Sequence, residues 1–342
     1  MVKPALSMQP TGWFQVAWSS EIAIGDVRTM KYFGREMVAW RSAAGRVTVF
    51  DAYCEHLGAH LGYGGHVEGE SLVCPFHGWE WNQDGRNVCI PYESHPNRGR
   101  RIRSYPTVER NESVWIWFDI DGRAPYFDVP DIFADFGDDK SAADYYPAFP
   151  AGTLYRAGLE LHPQYIMENG VDFAHFKFVH KTPFVPEFTR QDFSGPVSYV
   201  DFTVAFDDTP EDEINSGVEA INGGLGVAVT KSWGMVDNRT LSAVTPVDES
   251  TSDVRFTVWI GRKPGDERPE MSGFAKTMAN FVIEQFQADI DIWSRMRYTE
   301  PPALSRKEYE GFKALRAWAA QFYPDGHDAS ANADRDDTTV NS

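Results

Sequence analysis

Residues 53–81 read YCEHLGAHLGYGGHVEGESLVCPFHGWEW. Two of the chain's three cysteines and four of its nine histidines fall inside this stretch, set among glycines. The ligand-capable side chains sort as Cys54-x-His56, a gap of seventeen residues, then Cys74-x-x-His77. Two loops that each offer one thiolate and one imidazole at short spacing can wrap a single metal centre. Glycine lets both backbones bend through positive φ and approach it closely.

Two centres take such a donor set. One is tetrahedral zinc with two cysteines and two histidines. The other is a Rieske [2Fe–2S] cluster, in which two histidines replace two cysteines on one iron. Zinc-finger spacing groups the cysteines together and the histidines together. Here each loop gives one of each, which suits a cluster with one thiolate-bound and one imidazole-bound iron. His60 and His66 read as polar loop residues, and Cys89, in a strand pattern, as a core thiol.

Outward from the stretch, residues 10–120 read as a small antiparallel β domain. VRTMKYFGREMVAWRSAAGRVTVFDAYC alternates apolar and polar residues around glycine turns at Gly34 and Gly45, the hairpin pattern. WEWNQDGRNVCI turns at Asp84-Gly85, and YPTVERNESVWIWFD turns around Asn111. Residues 121–150, rich in Asp, Gly and Pro, look like a linker. Residues 151–324 read as a second domain. TLYRAGLELH is a strand there, and PQYIMENGVDFAHFKFVH a helix opened by Pro163. Strand-like runs follow over 196–262, then a long helix in MSGFAKTMANFVIEQFQADIDIWSRMRY and a short amphipathic one in SRKEYEGFKALRAWAAQFY. The polar tail from 325 to 342 reads as disordered. The fold class is α+β.

A second ligand group lies in MENGVDFAHFKFVHKTPF, residues 167–184. Asp172 and His175 are three apart, hence on one face of the expected helix. His180 comes within reach if that helix bends or ends near Phe178. Two imidazoles and a carboxylate form the facial triad of non-haem Fe(II) oxygenases. Helix phase selects the carboxylate. At about 100° per residue over 275–298, Met278, Val282, Phe286, Trp293 and Met296 share a face with Asp289 in its middle. Glu284 and Asp291 fall opposite, with Asn280 and Gln287. A lone ionised carboxylate on an apolar stripe is expensive unless paired or metal-bound. Asp289 is therefore the third ligand, with Asp291 as the fallback.

Totals set the outer bounds. A net charge of −18 and a pI near 4.9 argue against a nucleic-acid or anionic-membrane partner. Three cysteines make no disulfide framework and fit a reducing compartment. MVKPALSMQPTGWFQ lacks the apolar core of a signal peptide, and no run approaches the roughly 18 apolar residues of a spanning helix. The expected location is cytoplasmic. No dinucleotide-binding glycine motif follows a strand, so electrons have to come from a separate protein.

The cluster loops (Cys54, His56, Gly58, Leu61; Cys74 to Trp79) and the Glu168-x₃-Asp172-x₂-His175-x₄-His180 spacing closely resemble the Rieske non-haem iron oxygenases. The segments DAYCEHLGAHLGYGG, IPY followed by a basic loop, YPTVERN and QFQADIDIW are most similar to the oxygenase components of 3-ketosteroid 9α-hydroxylases. The resemblance spans roughly residues 10–300. It implies a Rieske domain followed by a helix-grip-like catalytic domain. Cys54 and Cys74 would then hold one iron of the cluster, and His56 and His77 the other. His175, His180 and Asp289 would hold a mononuclear Fe(II), and Asp172 would bridge His175 to a cluster histidine of the neighbouring subunit in a head-to-tail homotrimer. It further implies a reductase, with or without a ferredoxin, as electron source, and O₂-dependent hydroxylation of a bulky apolar, steroid-like substrate. An aromatic ring hydroxylase or O/N-demethylase of the same architecture is the alternative enzyme. A Rieske electron carrier with no oxygenase activity is the alternative of another class.

Overall fold

The computed structural model describes residues 6–181, 186–203, 216–234, 237–271 and 273–324. The 325–342 tail and the Thr182–Val185 part of the segment after His180 lie outside the described residues.

The first half builds strands β1 (Gly12–Trp18), β2 (Val27–Tyr32), β3 (Arg35–Arg41), β4 (Val47–Asp51), β5 (His66–Glu68), β6 (Ser71–Val73), β7 (Glu80–Asn82), β8 (Asn87–Cys89), β9 (Ser104–Tyr105), β10 (Thr107–Arg110) and β11 (Ser113–Phe118). They pair antiparallel in the orders β2-β3-β4-β9, β5-β6-β7-β8 and β1-β11-β10. Turns form where glycine patterning places them. In the β2–β3 hairpin Tyr32 pairs with Arg35 across Phe33 and Gly34, both at positive φ (55° and 71°). That is the backbone a two-residue hairpin needs. Phe33 is an unusual residue for that conformation. Its ring stacks on Phe118 at 3.7 Å, and its amide and that of Gly34 donate to the carbonyls of Pro246 and Val247.

The second half opens on β12 (Thr153–Leu159), followed by helices α1 (Gln164–Asn169) and α2 (His175–Phe178). Next come β13 (Glu187–Asp192), β14 (Val197–Thr203), β15 (Gly217–Gly223), β16 (Val227–Trp233), β17 (Asn238–Pro246) and β18 (Ser252–Ile260), then α3 (Gly273–Trp293) and α4 (Tyr309–Ala319). The strands form one antiparallel sheet in the order β12-β18-β17-β16-β15-β14-β13. Helix α3 covers it, with Phe286 stacked on Phe256 at 4.1 Å. This is the α+β arrangement that the sequence leads one to expect.

Two details differ from the sequence reading. The expected single helix over 163–180 is broken: α1 stops at Asn169, residues 170–174 turn, and α2 restarts at His175. Gly170 caps the first piece, as a poor helix former does. The Asp172 carboxylate then takes the amides of Ala174 (3.0 Å) and His175 (3.3 Å), a side-chain turn that competes with helix. Asp172 and His175 therefore do not share one helical face. Helix α3 also ends at Trp293, where i→i−3 bonds tighten the chain, and leaves Met296 exposed.

The 121–150 stretch has one 3₁₀ turn, Ala142–Asp144, and is well packed. Val129, Ile132, Tyr145 and Ala148 are buried with Trp13, Trp115 and Trp117 on one side and Ile221, Val229 and Trp259 on the other. A shared core of this kind joins the two halves directly. Among the described residues no helix is long and apolar enough to cross a membrane.

Two candidate metal centres

The loops that leave β4 and β6 fold alike. In each, the cysteine carbonyl accepts the amide of a glycine four residues on, Gly58 (2.9 Å) or Gly78 (3.0 Å), and the cysteine amide donates to the following residue's carbonyl, Ala59 or Trp79, both at 2.9 Å. Both glycines sit at positive φ, 78° and 70°, where a side chain would be strained. The repeated turn aims Cys54 and Cys74 at each other. Both are buried, in one core with Leu61, Trp79 and Trp81. Their thiols share a hydrogen bond, which draws the Cys74 thiol down to about 6 and, with burial, pushes Cys54 up.

The imidazoles complete the group. The rings of His56 and His77 lie 4.8 Å apart, and His56 stacks on Trp79 at 4.3 Å and 6°. The Trp79 indole N–H donates to Tyr92 Oη at 2.8 Å, which fixes the stack. His77 Nδ1 is buried and has no protein partner, and an orphaned buried nitrogen is costly unless something binds it. Two buried thiols and two half-buried imidazoles thus come together, a donor set that fits the cluster. The remaining local residues are ordinary. His60 Nδ1 accepts the Gly62 amide at 3.0 Å, and His66 is exposed at the start of β5. Cys89 lies in β8 but is not a core thiol: it is half-buried, and a hydrogen bond to Glu80 raises its pKa.

In the second half, one ligand atom each from His175, His180 and Asp289 lie within 4.8 Å of one another. His175 opens α2, and His180 follows two residues after that helix ends at Phe178, which brings both rings to one side (centroids 5.1 Å apart). His175 Nδ1–H donates to the Asp172 carbonyl. A second-atom bond of this kind fixes the tautomer and leaves Nε2 free for a metal. His180 Nε2 lies 3.4 Å from Asp289 Oδ2, and its Nδ1 is buried without a partner. Burial pushes the His175 pKa down, opposed by the Asp289 and Asp172 carboxylates. Neutral imidazoles beside a buried carboxylate are the donor set of a 2-His-1-carboxylate site, so the residues present fit the ion.

Asp289 is 6% exposed on the face of α3 that carries Phe286 and Trp293. Asp291 faces solvent and accepts the Gln287 amide at 2.9 Å. Beside the triad lies a cavity of about 170 Å³, lined by Tyr165, Asp172, His175, Asp289, Trp293 and Phe312 among others. Trp233 is not among its lining residues. It borders a separate polar hollow with Asp138, Lys140 and Lys231.

Sequence reasoning named Glu168 only through its spacing to Asp172 and missed its partner, Arg316. Glu168 lines the same cavity, is 7% exposed, and is held by both the Nε and Nη2 of Arg316 at 2.8 and 3.2 Å. The one local signal was a carboxylate directly after the apolar Tyr165, Ile166 and Met167, which needs a partner if it is buried with them.

Residues 12–106 match the Rieske [2Fe-2S] domain family, and residues 116–323 match the 3-ketosteroid 9alpha-hydroxylase C-terminal domain. The oxygenase component of 3-ketosteroid-9-alpha-monooxygenase from Rhodococcus rhodochrous is 28% identical over 333 residues, covering 93% of this chain and 82% of that protein. Cholesterol 7-desaturase of Caenorhabditis elegans is 27% identical over 350 residues, covering 92% and 77%. Among solved structures, NdmA of Pseudomonas putida CBB5 with caffeine (TM-score 0.63, 17% identity, 90% and 91% covered) shares the fold. So does dicamba monooxygenase bound to dicamba (TM-score 0.61, 17% identity, 91% and 96% covered). With its two glycine-turned Cys/His loops ahead of a sheet-and-helix domain, the chain belongs to the Rieske oxygenases, in the family defined by the 3-ketosteroid 9α-hydroxylase C-terminal domain.

Proposed function

We propose that this chain is the terminal oxygenase of a multicomponent Rieske monooxygenase that hydroxylates a bulky apolar, steroid-like substrate. Residues 10–120 hold the [2Fe–2S] cluster through Cys54, His56, Cys74 and His77. Residues 151–324 hold Fe(II) through His175, His180 and Asp289, and 121–150 connect the two. The observation that carries the reading is the convergence of those last three side chains, from segments more than a hundred residues apart, on one buried point. An electron carrier has no use for it.

When bound, the cluster supplies single electrons and the Fe(II) binds and activates O₂. The protein's own groups prepare for this. Asp172 fixes the His175 tautomer through its carbonyl and anchors the start of α2 through its carboxylate. Trp293, Phe312 and Tyr165 keep the cavity wall apolar and so restrict water beside the triad. Trp79 shields His56, and Leu57 and Phe76 project from the cluster loops into solvent.

Electrons come from a separate reductase, with or without a ferredoxin. We assign Asp172 as the bridging acid in a head-to-tail homotrimer, in which the cluster loops of one copy face the Asp172 of the next. Its partial exposure beside the cavity supports that reading. Sterol-directed relatives support the substrate class.

The test is reconstitution with a surrogate reductase and a panel of steroids and simple aromatics, scoring product against O₂ consumed. A hydroxysteroid formed in step with O₂ use is expected. Loss of a methyl group, or ring hydroxylation of a simple aromatic, would replace the substrate assignment. A reducible cluster with no O₂-dependent product would leave an electron carrier.

A further inference from the structure

We propose that Arg316, on α4, is a positioning residue that holds the two ligand-bearing elements at the spacing iron needs. The inference rests on the triad assigned above. His175 and His180 come from the α1–α2 segment and Asp289 from α3, so the site exists only while those elements keep their mutual distance.

Arg316 contacts α1 and the segment that follows α3. Its Nε and Nη2 grip the Glu168 carboxylate on α1, one helical turn's length before Asp172. Its Nη1 donates to the Thr299 carbonyl at 2.7 Å and the Glu300 carboxylate at 3.0 Å, in the chain that leaves α3 after Trp293. The Tyr298 ring lies 4.5 Å from the guanidinium and completes the hold on that trailing segment. One planar fork therefore joins α1, the 298–300 segment downstream of α3, and α4.

Glu168 is secured from the other side as well. Gln164 Nε2 donates to it at 2.8 Å, and Tyr323 Oη donates to Gln164 Oε1 at 2.7 Å. A network with every member bonded is rigid, and one broken partner leaves the rest unsatisfied. Glu168 also lines the cavity beside Asp172, His175 and Asp289. Released from Arg316, its carboxylate would be a buried charge with no cation but the one in the triad. Lysine cannot substitute, because a single ammonium lacks the fork that reaches Glu168 and the Thr299 carbonyl together.

The experiment uses the full-length protein with its cluster assembled and reads the mononuclear Fe(II) by competition with a coloured ferrous chelator. Arg316→Lys and Arg316→Met are expected to weaken Fe(II) binding about 10-fold, the lower end of what losing a partner bonded directly to a ligand costs, because Arg316 acts one step further out. The visible spectrum of the cluster stays unchanged. Glu168→Gln keeps the shape of the network and is expected to lose severalfold; it serves as the second variant should Arg316→Met fail to fold. Wild-type affinity within twofold in the folded variants, even with a lowered melting temperature, would overturn the proposal and leave Arg316 a packing residue. Wild-type protein that binds no Fe(II) would instead overturn the triad itself.

Discussion

Asp172 and His175 hold each other twice: the imidazole Nδ1–H donates to the Asp172 carbonyl, and the Asp172 carboxylate accepts the His175 amide at 3.3 Å. The backbone bond orients the ring, whereas the carboxylate bonds build the turn before α2. Side-chain replacement therefore separates two roles. Asp172→Asn keeps an oxygen to accept those amides, so both metal centres should load at wild-type levels. Turnover should still fall by on the order of 10²-fold or more, since the proposed bridge loses its charge. Asp172→Ala should lose turnover equally and, lacking the helix-starting bonds, about 1 kcal/mol of stability besides. Iron content, steady-state product formation and urea unfolding measure the three. Normal single-turnover product in Asp172→Asn would remove the residue from the electron path.

Asp289 and Asp291 lie two positions apart on α3, one buried at the triad and the other exposed. Asp289→Ala should drop iron from about three to about two atoms per chain and abolish product, with the cluster's visible spectrum intact. Asp291→Ala should retain iron and activity, and change stability by less than about 0.5 kcal/mol. Elemental analysis beside the absorption spectrum decides it. Full iron loading in Asp289→Ala would pass the ligand role to another carboxylate.

Much of both candidate sites was legible in the sequence because their donors are close along the chain or ordered by a helical period. Cys54/His56 and Cys74/His77 declare themselves by spacing. Asp289 stands out because a carboxylate interrupts an apolar stripe. What stayed hidden depends on distance. Glu168 and Arg316 are 148 residues apart, and neither has a local pattern that names the other. The Phe33–Gly34 tip meets Pro246 and Val247 by a contact that no window of sequence contains. The break at Gly170 was readable in part, since glycine followed by Asp two residues later is helix-breaking chemistry. Cys89 misled for a different reason. Its strand is three residues long and lies at the edge of its sheet, and a strand pattern alone does not say which face is covered.

The two halves interlock at Gly226, in the turn from β15 to β16. A Cβ there would sit 2.1 Å from the Trp13 carbonyl oxygen and 2.7 Å from the Phe14 ring, both on β1. The obstacle is backbone, so no side-chain rotation relieves it. Gly226→Ala should cost roughly 1–3 kcal/mol through overpacking. It should lower the melting temperature without changing the chelator-resistant Fe(II) or the cluster spectrum of the folded fraction. An unchanged melting temperature would mean that β1 and the β15–β16 turn separate at little cost.

His162 stands directly before Pro163 and α1 and is buried without charge. Its Nε2–H donates to the Ser7 carbonyl at 2.9 Å, and its Nδ1 accepts the Gln164 amide at 3.0 Å, so the neutral ring is fully used. Burial pushes its pKa down to about 4. An added proton on Nδ1 would face an N–H instead of an acceptor. In the unfolded chain the same histidine titrates near 6.5. Above that pH neither state is charged, and stability is unaffected. Between about 6.5 and 4 the unfolded chain binds a proton that the folded chain refuses, so stability falls as pH falls, and below about 4 the loss levels off. The full loss is about 3 kcal/mol. Urea midpoints of the metal-free protein between pH 7.5 and 4 should follow that course. His162→Gln, which keeps a polar group and cannot titrate, should start lower and decline less steeply over the same interval. Parallel slopes for the two proteins would show that other groups govern the acid limb.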